Sequence, residues 1–244
     1  PDTLETRIYR EIREILSQPE HRKEITAEFP KPTIPRRNTG YALDLLMDAS
    51  CFDETSDRPF NFGKLIAGSE GTLCFVTEMK LNCIPLPPPV GGLMCAHFKN
   101  VPDALKVTQI AVQFDCYACE LIDKFILDCT ERSLEHRENR FFLQGDPGSI
   151  LVTEIRSTSQ ENVLAVTTQI ESAFRDAGLG YAYPVLFGEE MDRVWDLRKA
   201  GLGLLSNMPG DAKPAPVVED TAVDVADLPE YIAEFNRQLH ERFG

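Results

Sequence analysis

The sequence predicts a layered protein of alternating strands and helices, α/β or α+β, in two parts. Three observations predict it. Apolar runs with strand periodicity alternate with amphipathic helical stretches from about residue 92 onward. The run Pro85-Leu86-Pro87-Pro88-Pro89 separates that regular region from a more broken one before it. Consecutive prolines make a stiff, extended connector without backbone donors. The 244 residues suffice for one large domain or two ordinary ones, and 43% hydrophobic with 26% charged residues can bury a sizeable core.

In chain order, residues 3–17 place Leu4, Ile8, Ile12, Ile15 and Leu16 close to helical spacing, with Asp2 and Glu5 set as a capping box. Pro19 ends that helix. A short charged helix over 20–28 is broken by Pro30, Pro32 and Pro35, and "RRNTGY" leads into a helix near 42–49. Residues 51–60 read as loop. The segment 72–84 is rich in Val, Phe, Thr, Leu and Ile and reads as a strand. Beyond the prolines, strand 92–98 precedes a helix from about 102, capped by Asn100 with Pro102 and Asp103 in its first turn. Strand 116–120 and an apolar helix over 121–134 follow, then a polar loop and strand 150–156. The helix over 159–177 takes Thr158 and Glu161 as its box and Gly178 as its stop. Strand 181–187, helix 189–206, a proline-rich loop 207–216, strand 217–224 and helix 228–242 complete the reading.

The formal net charge of −14 argues against nucleic acid and gives no help on anionic lipid. No run of eighteen apolar residues occurs, so no transmembrane helix is expected. Seven cysteines, an odd number scattered through apolar segments, suit reduced thiols in a cytosolic compartment better than a disulfide framework. Cys116-Tyr117-Ala118-Cys119 is formally a CxxC, but no second cysteine or histidine pair completes a zinc site. Pro1 is not a start residue and the chain stops just after a helix, so a piece of a longer protein is expected.

Two features could carry chemistry. Gly68-Ser69-Glu70-Gly71-Thr72 joins two apolar runs, and its glycines mark either a turn or a close approach of something to the backbone. A phosphate loop is excluded by pattern. The only nearby lysine, Lys64, precedes the glycines, and a strand rather than a helix follows. No GxGxxG and no GxSxG occurs. The second feature is Arg198, set i+7 within the helical stripe Met191, Val194, Trp195, Leu202 and Leu205. A guanidinium there needs an anion, either a structural partner such as Glu219 or Asp220 or the carboxylate of a ligand. Lys213, in the preceding loop, could add a second cation. Glu219 and Asp220 are strand neighbours that face opposite ways, so they cannot act as an acid–base dyad.

"RRNTGYALDLL", "KLIAGSEGTLCFVTEMKL" and the proline hinge, followed by "ACELIDKF", "VWDLRKAGLG" and "GDAKPAPVVEDTAVDVADLPEYIAEF", resemble the FAD-linked oxidases of the vanillyl-alcohol-oxidase/para-cresol-methylhydroxylase superfamily. More narrowly they are similar to bacterial dehydrogenases of D-lactate, glycolate or D-2-hydroxyglutarate, in the large form with an iron–sulfur region. The resemblance implies an α+β protein: residues 1–89 as the rear of a two-subdomain FAD-binding domain, and 90–244 as a truncated ferredoxin-like cap with an antiparallel or mixed sheet. It further implies that Glu70, Gly71, Thr72, Leu73, Cys74, Phe75 and Val76 lie along FAD, although the family usually has glycine where this chain has Cys74. Arg198 matches the arginine that binds the substrate carboxylate, and Lys213 is a second substrate-binding candidate. The parent would oxidise a 2-hydroxy acid by hydride transfer to flavin, in the cytoplasm or peripheral to the inner membrane, with the catalytic base and any metal or iron–sulfur centre outside this chain. The chain alone is expected to bind FAD weakly or not at all and to turn over nothing.

Overall fold

The computed structural model describes residues 2–36, 40–206, 210–211 and 221–243, with Leu202 described by its backbone only. The chain divides into two compact units, one formed by residues 1–83 with 218–224, the other by 84–217 with 225–244.

The first unit carries four helices among its described residues: α1 (Leu4–Ser17), α2 (Pro19–Glu28), α3 (Leu43–Met47) and α4 (Gly63–Ala67). Helix α1 is capped one residue later than the Asp2–Glu5 box predicts. Thr3 is the N-cap, and its hydroxyl accepts the Thr6 N–H at 3.2 Å. Pro19 does not merely end α1. It occupies the first turn of α2, where its missing N–H leaves no bond unmade. Leu16, Ile25, Leu46 and Leu65 form the buried centre, with Phe29, Phe52, Phe60 and Phe62 packed around them. Each such buried side chain contributes about 1.5–3 kcal/mol relative to exposure.

The strand expected over 72–84 is not formed. Those residues pair with no described strand, and Phe75, Leu81 and Ile84 are 91%, 77% and 87% exposed. Strand propensity is a fitness for a pleated, half-buried surface, and without a ladder partner it yields only extended chain.

The second unit is built on a four-stranded, fully antiparallel sheet in the order β2-β3-β1-β4. Its elements run β1 (Val90–Phe98), α5 (Val101–Ala111), β2 (Ala118–Asp123), α6 (Lys124–Arg132), β3 (Ser149–Ser157), α7 (Gln160–Asp176), β4 (Val185–Phe187), α8 (Glu189–Ser206) and α9 (Leu228–Phe243). The central strands β1 and β3 are buried on both faces, which is why their sequences read as near-continuous apolar runs. On one face Met94, Ala96, Phe98, Leu151 and Ile155 pack with Val107 of α5 and with Ile170 and Phe174 of α7. On the other, Leu93, Cys95, Ile150 and Val152 pack with Leu127 of α6 and with Val194 and Leu197 of α8. Asn100 caps α5 as predicted, its side-chain oxygen accepting the Asp103 N–H at 2.9 Å. Helix α7 is capped by Ser159 rather than Thr158, through the Asn162 N–H at 3.2 Å. Strand β2 runs three residues further than predicted and α6 begins at Lys124, with Asp123 as its cap. The predicted strand 217–224 lies mostly outside the described residues, and 221–224 belong to neither helix nor strand.

Candidate functional site

Residues 68–76 begin where α4 stops. Ser69 is buried, and both its N–H and its hydroxyl donate to the Ile66 carbonyl, at 3.1 and 2.9 Å. The chain then reverses: the Thr72 N–H donates to the Ser69 carbonyl at 2.9 Å, with Glu70 at φ 50° and Gly71 at φ 75°. Two successive positive φ values closed by that bond mark a turn of the primed type. The Thr72 hydroxyl donates to the Ser69 carbonyl at 2.5 Å, and the Tyr41 hydroxyl lies 2.7 Å from the Thr72 hydroxyl, tying Tyr41 to the glycine turn.

The two glycines have different causes. A Cβ at Gly68 would lie 2.2 Å from the Gly40 carbonyl oxygen, so this glycine permits a close approach of the chain to itself. Gly71 has nothing within 4 Å of its would-be Cβ, and its positive φ is the reason for glycine there. Glu70 through Val76 are all exposed, with Cys74 a free thiol. Among the described residues no atom lies within 4 Å of a would-be Cβ at Gly71, so that side of the turn is open.

Arg198 lies on α8, which runs Glu189–Ser206 as predicted. Its apolar stripe is displaced by one residue from the predicted one: Val194 and Leu197 are fully buried with Met191 and Trp195 packed against the same cluster, whereas Arg198, predicted inside the stripe, lies at its exposed edge. The anion that meets Arg198 is Glu120 of β2, whose Oε2 is paired with the guanidinium Nε. The arginine side chain remains 50% exposed. Lys213, Glu219 and Asp220 lie outside the described residues.

Sequence reasoning missed the polar row beneath α8. Glu120, Glu154 and Arg156 project from the same sheet face as Val152, because residues two apart on a strand share a face and Glu154 stands opposite Ala118. Glu154 is 4% exposed, yet its carboxylate accepts the Arg156 Nε–H at 2.5 Å and the Trp195 indole N–H at 3.1 Å. Arg156 also lies over the Tyr117 ring, 4.8 Å from its centroid. The available signal was two acids at face-matched positions of apolar strands. A second miss is His97, fully buried in β1, whose Nδ1 lies 2.8 Å from the Cys95 carbonyl while its Nε2 accepts the Gln144 N–H at 3.2 Å. That pattern is the neutral ring with its proton on Nδ1, and burial pushes its pKa below the ordinary histidine range.

An open cavity of about 510 Å³ lies at the β2 edge, lined by Leu121, Asp123, Phe125, Ile126 and Leu205. Leu205 is two helical turns beyond Arg198, so one helix serves both features. Among the described residues, no group of three or more potential metal ligands occurs, and no helix is long and apolar enough to cross a membrane.

Comparison with known proteins follows the same lines. The chain is similar to the D-2-hydroxyglutarate dehydrogenase of Pseudomonas putida, 30% identical over 248 residues that cover 97% of this chain and 23% of the relative. The proteins of the same description from Haemophilus influenzae and Escherichia coli are 29% and 28% identical, across 91% and 96% of this chain and 22% and 23% of theirs. The chain thus spans less than a quarter of the length of these relatives. The comparisons lend no support to an iron–sulfur centre. Residues 88–243 match the model of the FAD linked oxidases, C-terminal domain. The chain belongs to that family.

Proposed function

We propose that this chain is part of an FAD-dependent dehydrogenase of a D-2-hydroxy acid, with D-2-hydroxyglutarate ahead of D-lactate and glycolate. The observation that carries the reading is the alignment of nearly the whole chain with relatives described as dehydrogenases of that one acid. Residues 1–89 serve as the rear of the FAD-binding domain and 90–244 as the cap. The β-α-β-β-α-β connectivity and the sheet order β2-β3-β1-β4 favour a ferredoxin-like cap, with α6 inserted between the second and third strands.

FAD, when bound, supplies the acceptor for the hydride that leaves the α-carbon. The main chain of Glu70–Val76 would hold the cofactor through backbone N–H and C=O groups, and Gly71, which has no Cβ, would put no side-chain bulk against it. Arg198 receives the substrate carboxylate. Glu120 takes its Nε edge, which leaves the Nη edge to face the ligand in the fork geometry that matches two carboxylate oxygens. Fixing that carboxylate orients the C–H bond and lowers the entropic part of the barrier. Lys213 serves as a second cation for a dicarboxylate.

The test is substrate-dependent flavin reduction in the full-length parent, comparing D-2-hydroxyglutarate, D-lactate, glycolate and L-2-hydroxyglutarate. The reading expects the D-dicarboxylate to bleach the flavin at the lowest concentration. Bleaching by none of the hydroxy acids would overturn it.

A further inference from the structure

The CxxC of the sequence spans the bend before β2 and the start of that strand, and both its cysteines pack on one core cluster. After the short 3-10 turn Val112–Phe114, Asp115 adopts φ 51°, a left-handed residue that redirects the chain. Tyr117 is a bend, and its N–H donates to the Glu154 carbonyl at 2.8 Å, joining the edge of β3 just before β2 begins. In straight strand, residues three apart would be about 10 Å apart on opposite faces. Here the bend lets both cysteines pack against the same α5/α7 core cluster, on one side of the sheet. The Cys119 Sγ also lies 4.0 Å from the Thr153 hydroxyl across the ladder. Both residues are half-buried rather than sealed, Cys116 lies between exposed Asp115 and Tyr117, and β2 is an edge strand.

We propose that Cys116 and Cys119 form a dithiol–disulfide centre on the edge of the sheet, which exchanges two electrons with small-molecule disulfides such as oxidised glutathione. Cys116 is the attacking thiol. Interaction with the neighbouring Cys119 thiol lowers its pKa to about 7, against the opposing effects of burial and the Asp115 carboxylate, while the Cys119 thiol is pushed up by the same partner and by burial. A thiol with pKa near ambient pH combines thiolate population with nucleophilicity. The Cys116 thiolate attacks one sulfur of the oxidant and expels the other as a thiolate, leaving a mixed disulfide. Cys119 then loses its proton to solvent and attacks the Cys116 sulfur, expelling the second thiolate. Two protein thiols and one small disulfide become one protein disulfide and two small thiols, so atoms and electrons balance. Cys95 differs on every count: it is fully buried in β1, and burial raises its pKa beyond useful reach.

The sequence makes the test direct. The tryptic peptide Val107–Lys124 contains Cys116 and Cys119 and no other cysteine. The intact chain is equilibrated with oxidised glutathione, alkylated and digested. The expected peptide is unalkylated, lighter by two hydrogens than the dithiol form, and returned to two alkylated cysteines by prior dithiothreitol. Without oxidant, alkylation of Cys116 should outpace that of Cys119 at least tenfold at neutral pH and rise with a midpoint near pH 7. In Cys119→Ser the same peptide should stop at one glutathione adduct on Cys116. Should the wild-type peptide emerge with both cysteines alkylated, while the exposed Cys51, Cys74 and Cys83 have taken up glutathione, the proposal fails. A wild-type Cys116 adduct that Cys119 never resolves would overturn it equally. The readout on the unaltered chain stands even if the variant does not fold.

Discussion

Glu120 and Arg198 form an ion pair from β2 to α8, with Glu120 on the guanidinium Nε and the arginine side chain half open to solvent. A half-exposed pair of this kind adds only about 0–1 kcal/mol to stability. In the proposed reading its value lies in direction, because Glu120 pairs at Nε and the half-exposed side chain can turn its Nη groups to the ligand. Replacing Glu120 by Gln in the full-length parent should therefore leave the melting transition nearly unchanged. It should raise KM for the 2-hydroxy acid about tenfold, the scale of one charge-assisted hydrogen bond. Thermal melts beside steady-state kinetics check this, and a large drop in stability with unchanged KM would make the pair structural.

Glu154 predicts the opposite balance. Its carboxylate is buried and relies on Trp195 and Arg156 as donors. Trp195→Phe keeps the ring but withdraws one donor, so folding stability should fall by about 1–3 kcal/mol. Urea unfolding followed by far-ultraviolet circular dichroism measures it, since the variant lacks the chain's single tryptophan. A change below about 0.5 kcal/mol, ordinary for a surface substitution, would mean that the indole N–H does not support the carboxylate.

His97 makes the second unit acid-sensitive. Burial lowers its pKa in the folded state, so the unfolded chain binds the proton more readily. The stability it contributes is present above about pH 6.5, the unfolded value, and is lost as pH falls through the depressed folded value. Protonation would set a new N–H at Nε2 against the Gln144 N–H that it now accepts. Urea midpoints between pH 8 and pH 5 should fall more steeply for the wild type than for His97→Gln. Parallel curves would assign the acid loss elsewhere.

The glycine turn separates close approach from backbone strain. Gly68→Ala would drive a methyl group into the Gly40 carbonyl, whereas Gly71→Ala meets open space and pays only for its positive φ, about 1 kcal/mol. Limited proteolysis and hydrogen exchange over residues 40–76 should reveal a larger opening in the first variant. Equal effects would contradict the packing of Gly40 against Gly68.

Periodicity made much of the second unit legible. Helix α8 and the doubly buried β1 and β3 follow directly from the spacing of apolar residues, and Asn100 announces α5. The caps of α1 and α7 shift by one residue because Asp2 and Thr3, or Thr158 and Ser159, are adjacent side chains with equivalent capping chemistry. The segment 72–84 misleads because strand-forming composition does not supply a strand partner. Arg198 was readable as a charge on this helix, though it sits at the edge of the buried stripe and not inside it. Its partner was not, because the match to Glu120 depends on how α8 crosses the sheet, which no local pattern encodes.

In the proposed enzyme the half-exposed Arg198 receives the carboxylate of a 2-hydroxy acid. Anaerobic stopped-flow reduction of the bound flavin by D-2-hydroxyglutarate, comparing the full-length parent with its flavin-replete Arg198→Ala variant, measures this most directly. The account predicts about a 100-fold lower apparent second-order rate of bleaching in the variant, the loss of a two-toothed, charge-assisted contact, with its flavin spectrum and melting transition preserved. Bleaching at the parent's rate and with the parent's concentration dependence would contradict it.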